Sequence, residues 1–380
     1  MKNPIYLDYN ATTPHDPEVI EAMRPFLEKE FGNPSSTHWY GIAPKKAVIR
    51  AREQVARILG AKTEEILFTS GGTEANNHAI RCAATAAAQK GRHIITTQIE
   101  HPAVLSVFAF LERSGFTASY LPVDAFGCVS VDAVRKAVSR DTVLISIMHA
   151  NNEVGTLQPI QEIAALARKH GILMHTDAAQ TVGKIRVNVH ELGVDMLSVA
   201  GHKIYAPKGV GALYIREGLF LDPLMLGAGQ EAGMRPGTEN VLGIVGLGKA
   251  CEVALRDLDA NRSHMQAMRD RFYTGVTNGL EEVRLNGHPE KCLPNTLSLS
   301  FRGVEANRVL EEIGLEVAAS AGAACHSDRI AVSHVLEAMG IPLDFAKGTL
   351  RFSTGKMSTS EEIDQASAVV VGAVRKLKKV

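Results

Sequence analysis

The chain has 380 residues, of which 45% are hydrophobic and 22% charged, a composition typical of a globular protein long enough for two domains. Its 41 basic and 41 acidic residues give a formal net charge of zero, so we expect neither a nucleic-acid partner nor an acidic membrane surface. No apolar run approaches membrane-spanning length or resembles a signal peptide, and five scattered cysteines without metal-ligand spacing indicate free thiols in a reducing cytoplasm.

Short apolar runs alternate with helical patterns in the first half of the chain. Helical segments at 73–89 and 160–170 lie between the runs. Runs that are apolar throughout and separated by helices predict an α/β fold with a mostly parallel sheet covered on both faces. Ligands of such sheets bind at the carboxyl ends of the strands. The predicted strands are 66–69, 93–97, 142–147, 172–175 and 196–199.

A second, smaller domain of α+β structure is predicted in the last third of the chain. A long helical pattern covers about 241–280, and residues 294–301 alternate in polarity as a half-buried strand does. We therefore predict a large domain over residues 15–255 and a small domain formed by residues 1–14 and 256–380.

The ends of two predicted strands carry residues that indicate a cofactor. Asp177 ends one strand, and Gly201-His202-Lys203 follows another. This pair suits pyridoxal phosphate, because the lysine forms a Schiff base with the aldehyde and the aspartate keeps the pyridine nitrogen protonated. A metal site built from His175, Asp177 and His202 is the rival interpretation. These positions lack the helical spacing of paired histidine ligands, and Lys203 would repel a cation, so we predict no metal.

Other strand ends carry polar groups that suit the rest of this cofactor. Gly72 and Thr73 lie where a strand meets a helix, which favours phosphate binding, although glycine pairs there often mark only a tight turn. His101 follows the next strand, where an imidazole can stack on the pyridine ring and move protons, or be an ordinary loop residue. Asn152 and Gln180 are candidates for binding the phenolic oxygen, with an Asn/Gly turn as the alternative for Asn152.

Residues outside the strand ends are candidates for binding and catalysis. Arg351 carries a guanidinium suited to an α-carboxylate, and Arg235 can reach a phosphate in its own or a neighbouring subunit. A surface ion pair is the alternative for both arginines. Cys325 follows four small residues at 321–324 and precedes His326, whose imidazolium would favour a thiolate. We interpret Cys325 as a partly exposed, reactive thiol.

These motifs together resemble the cysteine desulfurases, the NifS/IscS-like group of class V aminotransferases, which are pyridoxal-phosphate enzymes of fold type I. The resemblance runs nearly from end to end of the chain. It is carried by LDYNATTP at 7–14, GNPSSTH at 32–38, GTE at 72–74, EH at 100–101, NNE at 151–153, DAAQ at 177–180, GHK at 201–203 and RPGT at 235–238.

The resemblance implies a homodimer with a mostly parallel, seven-stranded type of sheet in the large domain, and it implies a role for each candidate residue. The implied catalytic residues are Lys203, His101 and the sulfur-accepting Cys325. The implied cofactor-binding residues are Gly72, Thr73, His101, Asn152, Asp177, Gln180, Ala200, His202, Lys203 and, from the other subunit, Thr238. The implied substrate-binding residues are Asn10, Asn152 and Arg351.

Two departures from the family pattern bear on the substrate. Ala200 stands where a phosphate-binding serine is common, and residues 326–328 replace a Ser/Thr-rich stretch after the catalytic cysteine. Residues 323–328 and 235–240 look more like selenocysteine lyases, whereas 100–104 look more like desulfurases. The resemblance implies conversion of L-cysteine to L-alanine with sulfur held as an enzyme persulfide, for delivery to an acceptor protein. The alternative is a selenocysteine lyase acting on L-selenocysteine.

Two other classes of protein fit the sequence less well. A dinucleotide-dependent oxidoreductase would need a G-x-G-x-x-G motif after an early strand, and the sequence has none there. A non-catalytic partner in sulfur transfer would not need Lys203 together with Asp177. The sequence therefore favours a pyridoxal-phosphate enzyme.

Overall fold

Strands and helices alternate along the chain, as the pattern of apolar runs predicts. The computed structural model describes residues 4–326 and 329–379, without the side chains of residues 323–326 and 329–331. The strands are β1 (Ile5–Tyr6), β2 (Ile66–Thr69), β3 (His93–Thr97), β4 (Thr117–Leu121), β5 (Thr142–Ser146), β6 (Leu173–Asp177), β7 (Met196–Ala200), β8 (Gly211–Ile215), β9 (Val283–Asn286), β10 (Thr296–Phe301), β11 (Val317–Ala318), β12 (Ser320–Ala321), β13 (Ala323–His326), β14 (Arg329–Val332) and β15 (Thr349–Ser353).

The helices cover the sheets and connect their strands. They are α1 (Pro17–Glu28), α2 (Trp39–Leu59), α3 (Gly72–Asn77), α4 (Ala83–Ala86), α5 (Pro102–Arg113), α6 (Val131–Ala137), α7 (Ile160–Lys169), α8 (Val189–Leu192), α9 (Val241–Arg256), α10 (Leu258–Gly279), α11 (Ala306–Ile313), α12 (His334–Ala338), α13 (Leu343–Ala346) and α14 (Ser360–Lys378). In the part of the chain that the structure describes, none of them is long and apolar enough to cross a membrane.

The described residues form a seven-stranded sheet that is mostly parallel, which confirms the predicted α/β fold class. Its strand order is β2-β8-β7-β6-β5-β3-β4. The strands from β4 to β7 pair in parallel, whereas β8 runs antiparallel to both of its neighbours. Because β6 and β7 are parallel and Asp177 pairs with Ser198, the carboxyl ends of these two strands meet at one edge of the sheet.

A second, antiparallel sheet has the order β12-β15-β10-β9. Its core includes Leu299 and Leu350, which face each other across β10 and β15, and the rings of Phe272 and Phe352 lie 4.6 Å apart there. Ile5, at the start of the chain, belongs to the same core, because β1 pairs with β11. The predicted domain boundaries at 14 and 255 stay a prediction.

The helical pattern over 241–280 forms two helices rather than one. The helices α9 and α10 meet at Asp257, whose φ of −104° and ψ of 13° depart from helical values. Leu247 of α9 packs into the core beneath the large sheet, whereas Val276 of α10 packs into the core of the small sheet. The break follows from this division, since each half buries its apolar side chains against a different sheet.

The predicted helix at 73–89 is also modified. It begins as α3 at Gly72 and ends as α4 at Ala86, with a π-helical turn at His78–Cys82 between them. Such turns insert one extra residue into a helix, and apolar periodicity does not reveal them.

We expect Leu299→Ala to destabilise the small sheet, because Leu299 is fully buried in β10. Loss of its buried methyl groups and the resulting cavity should reduce the free energy of unfolding by about 3 kcal/mol. Leu315→Ala is the matched control, since that leucine is 91% exposed and its truncation should change stability by less than about 0.5 kcal/mol. Denaturant unfolding followed by circular dichroism measures both. Equal effects of the two substitutions would contradict this packing.

Candidate active site

A cavity of about 380 Å³ opens at the carboxyl ends of β5, β6 and β7. The start of α3, the N-terminal segment and one side chain of β15 close its other sides. The lining residues are Asn10, Ala11, Gly72, Thr73, Asn76, His101, Ala103, Met148, Ala150, Asn152, Asp177, Ala179, Gln180, Ala200, His202, Lys203 and Arg351. The structure thus brings most of the predicted site residues together, in the position expected for an open α/β sheet.

Lys203 reaches this cavity from a 3-10 turn that directly follows β7. Its Nζ donates hydrogen bonds to the carbonyl oxygens of Ala11, at 2.8 Å, and Asn10. Burial, reinforced by the positive charge of Arg351, lowers the pKa of Lys203 from its ordinary value of 10.5 to about 8. A substantial share of this amine is therefore neutral near physiological pH, as a nucleophile or base requires.

Asp177 is buried at the end of β6, and within residues 4–326 and 329–379 no ion pair is formed by its carboxylate. Its Oδ2 accepts a hydrogen bond from Asn76 Nδ2 at 2.7 Å, and its Oδ1 accepts one from the backbone N–H of Ala179 at 2.9 Å. The Oδ1 atom of Asn76 is buried without a hydrogen-bond partner in this part of the chain. A buried acid beside an unsatisfied acceptor suits a cationic donor such as a protonated pyridine nitrogen.

His101 lies on the wall of the cavity at the start of α5. Its Nδ1 accepts the backbone N–H of Ala103 at 3.0 Å and so caps this helix. Burial lowers the pKa of His101, and the charge of Asp177 partly opposes this effect. The ring is consequently held in one place and is mostly uncharged near neutral pH, which suits stacking on an aromatic ring.

Glu100 directly precedes His101 in the chain and is fully buried. Both of its carboxyl oxygens accept the backbone N–H of Met148, at 3.1 and 3.0 Å, and one also accepts the hydroxyl of Thr97 at 2.6 Å. Burial raises the pKa of Glu100 to about 8. Through these contacts Glu100 ties the segment that carries His101 to the end of β5.

Small and uncharged residues form the end of the cavity predicted to bind phosphate. A side chain on Gly72 would place its Cβ 3.3 Å from the Cβ of Ala200, so Gly72 accepts no larger residue without a small shift of its neighbour. His202 Nδ1 lies 3.3 Å from Thr12 Oγ1, and burial lowers the pKa of His202 to about 4. A neutral His202 can contribute a hydrogen bond to a phosphate but no positive charge.

Arg351 extends from β15 into the opposite side of the cavity. Its Nη2 donates to Asp8 Oδ1 at 2.7 Å and to Ser320 Oγ at 3.0 Å, and its Nη1 donates to the carbonyl oxygen of Asn152 at 3.1 Å. Its Nε is buried without a partner in the described part of the chain. These contacts hold a guanidinium in fixed orientation at the cavity wall, as binding of a substrate carboxylate requires.

Asn10 and Gln180 also line the cavity and contact each other. Gln180 Nε2 donates to the carbonyl oxygen of Asn10 at 3.0 Å. The buried amine of Lys184 donates to Asn10 Oδ1 and to Gln180 Oε1, both at 2.9 Å. The predicted cofactor ligand Gln180 is therefore one member of a buried polar network.

Thr238 and Arg235 are not among the described residues that line the cavity. Thr238 is exposed and does not line the cavity of its own chain. Arg235 forms an ion pair with Glu74 at 2.9 Å, which is the alternative that the sequence left open. The backbone of Cys325 lies in β13 opposite Ile330, and its side chain lies outside the described residues.

The rival metal site is not assembled. Nδ1 and Nε2 of His175 contact the hydroxyls of Ser146 and Ser198, at 2.8 and 2.9 Å, and this residue does not line the cavity. Among the side chains that the structure describes, which exclude those of Cys325 and His326, no three from His, Cys, Asp or Glu come together as metal ligands would.

Sequence reasoning missed Asn76 and Lys184. Asn76 lies three and four residues after Thr73 and Gly72, on the same face of the helix that they begin, so helical spacing was a usable signal. Lys184 carries no comparable signal, because a lysine in a loop is usually a surface residue.

Pyridoxal phosphate fits the residues present. Asp177 and the unsatisfied Asn76 oxygen suit its protonated ring nitrogen, and Gly72 with Thr73 leave space for its phosphate at the start of a helix. Lys203 provides the amine for its aldehyde. The roles of the individual residues stay predictions.

Comparison with known proteins extends over nearly the whole chain. Residues 5–366 match the family described as Aminotransferase class-V. A protein named cysteine desulfurase IscS from Dictyoglomus turgidum is 49% identical over 381 residues, covering 100% of this chain and 97% of that protein. One of the same name from Methanosarcina thermophila is 47% identical over 375 residues, covering 98% and 93%. A solved structure described as a NifS-like protein has a TM-score of 0.92 at 39% identity, covering 99% and 100%.

The likeness holds in sequence and in three-dimensional structure, and it includes the strands that carry the cavity. With its mostly parallel sheet the chain has the fold-type-I architecture, and it belongs to the class-V aminotransferase family.

Proposed function

We propose that the protein is a pyridoxal-phosphate-dependent cysteine desulfurase, which converts L-cysteine to L-alanine and transfers the sulfur to Cys325. One observation carries this proposal: the buried, unpaired Asp177, the lowered pKa of Lys203 and the guanidinium of Arg351 share one cavity. The family assignment and the relatives named cysteine desulfurase support the same activity.

Pyridoxal phosphate, when bound, supplies an electron sink for the bond electrons released at the substrate Cα. Asp177 keeps a proton on the ring nitrogen. Its buried carboxylate is the acidic group among the described residues that line the cavity. Arg351 binds the substrate carboxylate and orients the Cα–H bond. Lys203 would provide the amine for the cofactor aldehyde and, with substrate bound, would act as the base for the Cα proton, which its pKa of about 8 permits.

Cys325 performs the second half of the reaction in this proposal. Its thiolate attacks the substrate sulfur, so that an S–S bond forms while the bond between Cβ and sulfur breaks. The electron pair stays with the substrate carbon, which takes up protons and leaves as alanine. The persulfide on Cys325 then passes its outer sulfur to an acceptor, and we propose a sulfur-acceptor protein such as one of iron–sulfur cluster assembly.

Selenocysteine is the less favoured substrate. The two relatives described above are named cysteine desulfurases, and they cover nearly all of this chain. The motifs that look more like selenocysteine lyases cover only residues 235–240 and 323–328.

A homodimer completes the proposal. Trp39, Phe220 and Leu226 are large apolar residues that are each more than 85% exposed, and such side chains are typical of a surface that another subunit covers. Phe220 also lines a larger cleft, of about 750 Å³, together with Ile49 of α2. We place Thr238 in the partner's cavity, because it is exposed and is not among the described residues that line the cavity of its own chain. The free thiols among the described cysteines agree with a cytoplasmic location.

The pH dependence of cofactor attachment should report the lowered pKa of Lys203. Only the neutral amine attacks the aldehyde, so below the pKa the rate rises roughly tenfold per pH unit, and above about pH 8 it levels off. The measurement is the appearance of visible absorbance after pyridoxal phosphate is mixed with cofactor-free protein between pH 6.5 and 10 (roughly the range that brackets the shift). Lys203→Ala is the control and should attach no cofactor covalently. A rate still rising beyond pH 9.5 (about one unit below an ordinary lysine) would contradict the shift.

Replacing Cys325 should separate the two halves of the reaction. We expect Cys325→Ala to bind pyridoxal phosphate normally, with the spectral changes of cysteine binding intact, but to lose sulfur transfer by at least about a hundredfold. Cys128→Ala is the control, because this partly exposed thiol lies outside the cavity lining. Alanine and sulfide formation are measured with L-cysteine and, in parallel, with L-selenocysteine. Unchanged sulfide release by Cys325→Ala would remove this residue from the mechanism, and a preference for selenocysteine would favour the alternative enzyme.

Subunit complementation tests the position of Thr238. Thr238→Ala and Lys203→Ala should each impair their own homodimers. Mixed dimers would contain one complete site, formed by Lys203 of one chain and Thr238 of the other, so mixing and refolding should restore about a quarter of wild-type activity. No recovery in mixed dimers, verified by mass spectrometry, would place Thr238 outside the partner's site.

A further inference from the structure

A second lysine lies behind the cavity and has no part in the mechanism described above. Lys184 is 5% exposed, and its Nζ donates to Asn10 Oδ1 and Gln180 Oε1, both at 2.9 Å. Both acceptors are neutral amide oxygens. In the described part of the chain Lys184 forms no ion pair, and the charged groups that face it are the cations Lys203 and Arg351.

The backbone after β6 is shaped to bring Lys184 to this position. Asp177, Gln180 and Lys184 are spaced by three and four residues, and the turn between them is closed by a hydrogen bond from the Lys184 N–H to the carbonyl of Thr181. Gly183 has a φ of +78°, and a Cβ there would lie 2.8 Å from a methyl group of Ile204. One short segment thus places the carboxylate of Asp177 and the amide of Gln180 in the cavity wall, and the amine of Lys184 directly behind that amide.

Burial dominates the electrostatics of Lys184. Removal from water, together with the positive charges of Lys203 and Arg351, lowers its pKa well below the ordinary value for lysine. Both of its acceptors are neutral amide oxygens, so within this network Lys184 acts as a hydrogen-bond donor rather than as the counter-ion of a carboxylate.

The contacts of Lys184 determine which way the amide of Gln180 faces. Its amine donates one hydrogen to Asn10 Oδ1, which also accepts from Asn295 Nδ2 at 3.0 Å and cannot turn away without leaving that donor unpaired. Another hydrogen holds Gln180 Oε1. The NH₂ group of Gln180 consequently faces the carbonyl oxygen of Asn10 and has a further hydrogen for the cavity.

We propose that Lys184 is a positioning residue, which holds the Gln180 amide so that its second N–H, the one not donated to Asn10, is available to the phenolic oxygen of the bound cofactor. This inference rests on the proposed function, because it assumes pyridoxal phosphate in the cavity. It assigns Lys184 the role of a hydrogen-bond donor acting through Gln180, with no contact to the cofactor and no part in proton transfer.

The test compares binding of pyridoxal phosphate to cofactor-free variants, measured as affinity and as the visible absorption spectrum of the bound cofactor. Lys184→Met removes the donor while keeping the length and apolar stem of the side chain. It should weaken binding about tenfold, the equivalent of one lost hydrogen bond to a charged oxygen, and shift the absorption maximum. Lys184→Gln keeps an uncharged donor at nearly the same reach and should stay within about threefold of wild type.

A double-mutant cycle shows whether Lys184 acts through Gln180. Gln180→Leu should resemble Lys184→Met, and the double variant should bind no more weakly than Gln180→Leu alone. Unchanged affinity and spectrum in Lys184→Met, or additive losses in the double variant, would overturn the proposal. Should Lys184→Met fail to fold, binding by Lys184→Gln as weak as that of Gln180→Leu would overturn it equally. A wild-type protein that binds no pyridoxal phosphate would instead overturn the proposed function.

Discussion

Asn10 joins the two parts of the structure at the cavity, and the remaining site depends on this junction. Its backbone N–H donates to Ser353 Oγ of the small sheet at 2.9 Å, and its Nδ2 donates to Thr296 Oγ1 at 2.7 Å. On the other side, its carbonyl oxygen accepts from Gln180 and Lys203. One buried amide residue therefore fixes Lys203, which follows a strand of the large sheet, relative to the strand that carries Arg351.

Burial is the largest influence on the electrostatics of the cavity. Lys203 and Lys184 have lowered pKa values, and Glu100 has a raised one, and in each case the largest cause is removal from water. Asp177 has an amide and a backbone N–H as its partners instead of a cation. Such a site favours the neutral form of its amines and, among the described lining residues, leaves the carboxylate of Asp177 for a positively charged ligand, as pyridoxal-phosphate chemistry requires.

Much of this arrangement was predictable because the site lies at strand ends. Asp177, Lys203 and His101 each follow an apolar run, and the parallel pairing of β6 and β7 brings the first two to the same edge. The break at Asp257 was not predictable, since it depends on which sheet each half of the helical pattern packs against. The π-helical turn at His78–Cys82 was not predictable either, because one extra residue in a helix leaves no mark in the apolar periodicity. The predicted phosphate contact of Thr238 cannot be judged from a single chain, because that residue is exposed and does not line the described cavity of its own chain.

The sequence by itself determined the fold class and the cofactor, and it predicted most of the residues that line the cavity. The periodicity of apolar residues reflects which strands are buried, and only a few residue types can perform pyridoxal-phosphate chemistry. The tertiary structure decided which uncharged groups surround those residues. Asn76 contacts Asp177 across 101 positions of the chain, and Lys203 contacts Asn10 across 193. Such contacts arise when two sheets and an N-terminal segment fold around one cavity, and no local pattern in the chain encodes the distance between their side chains.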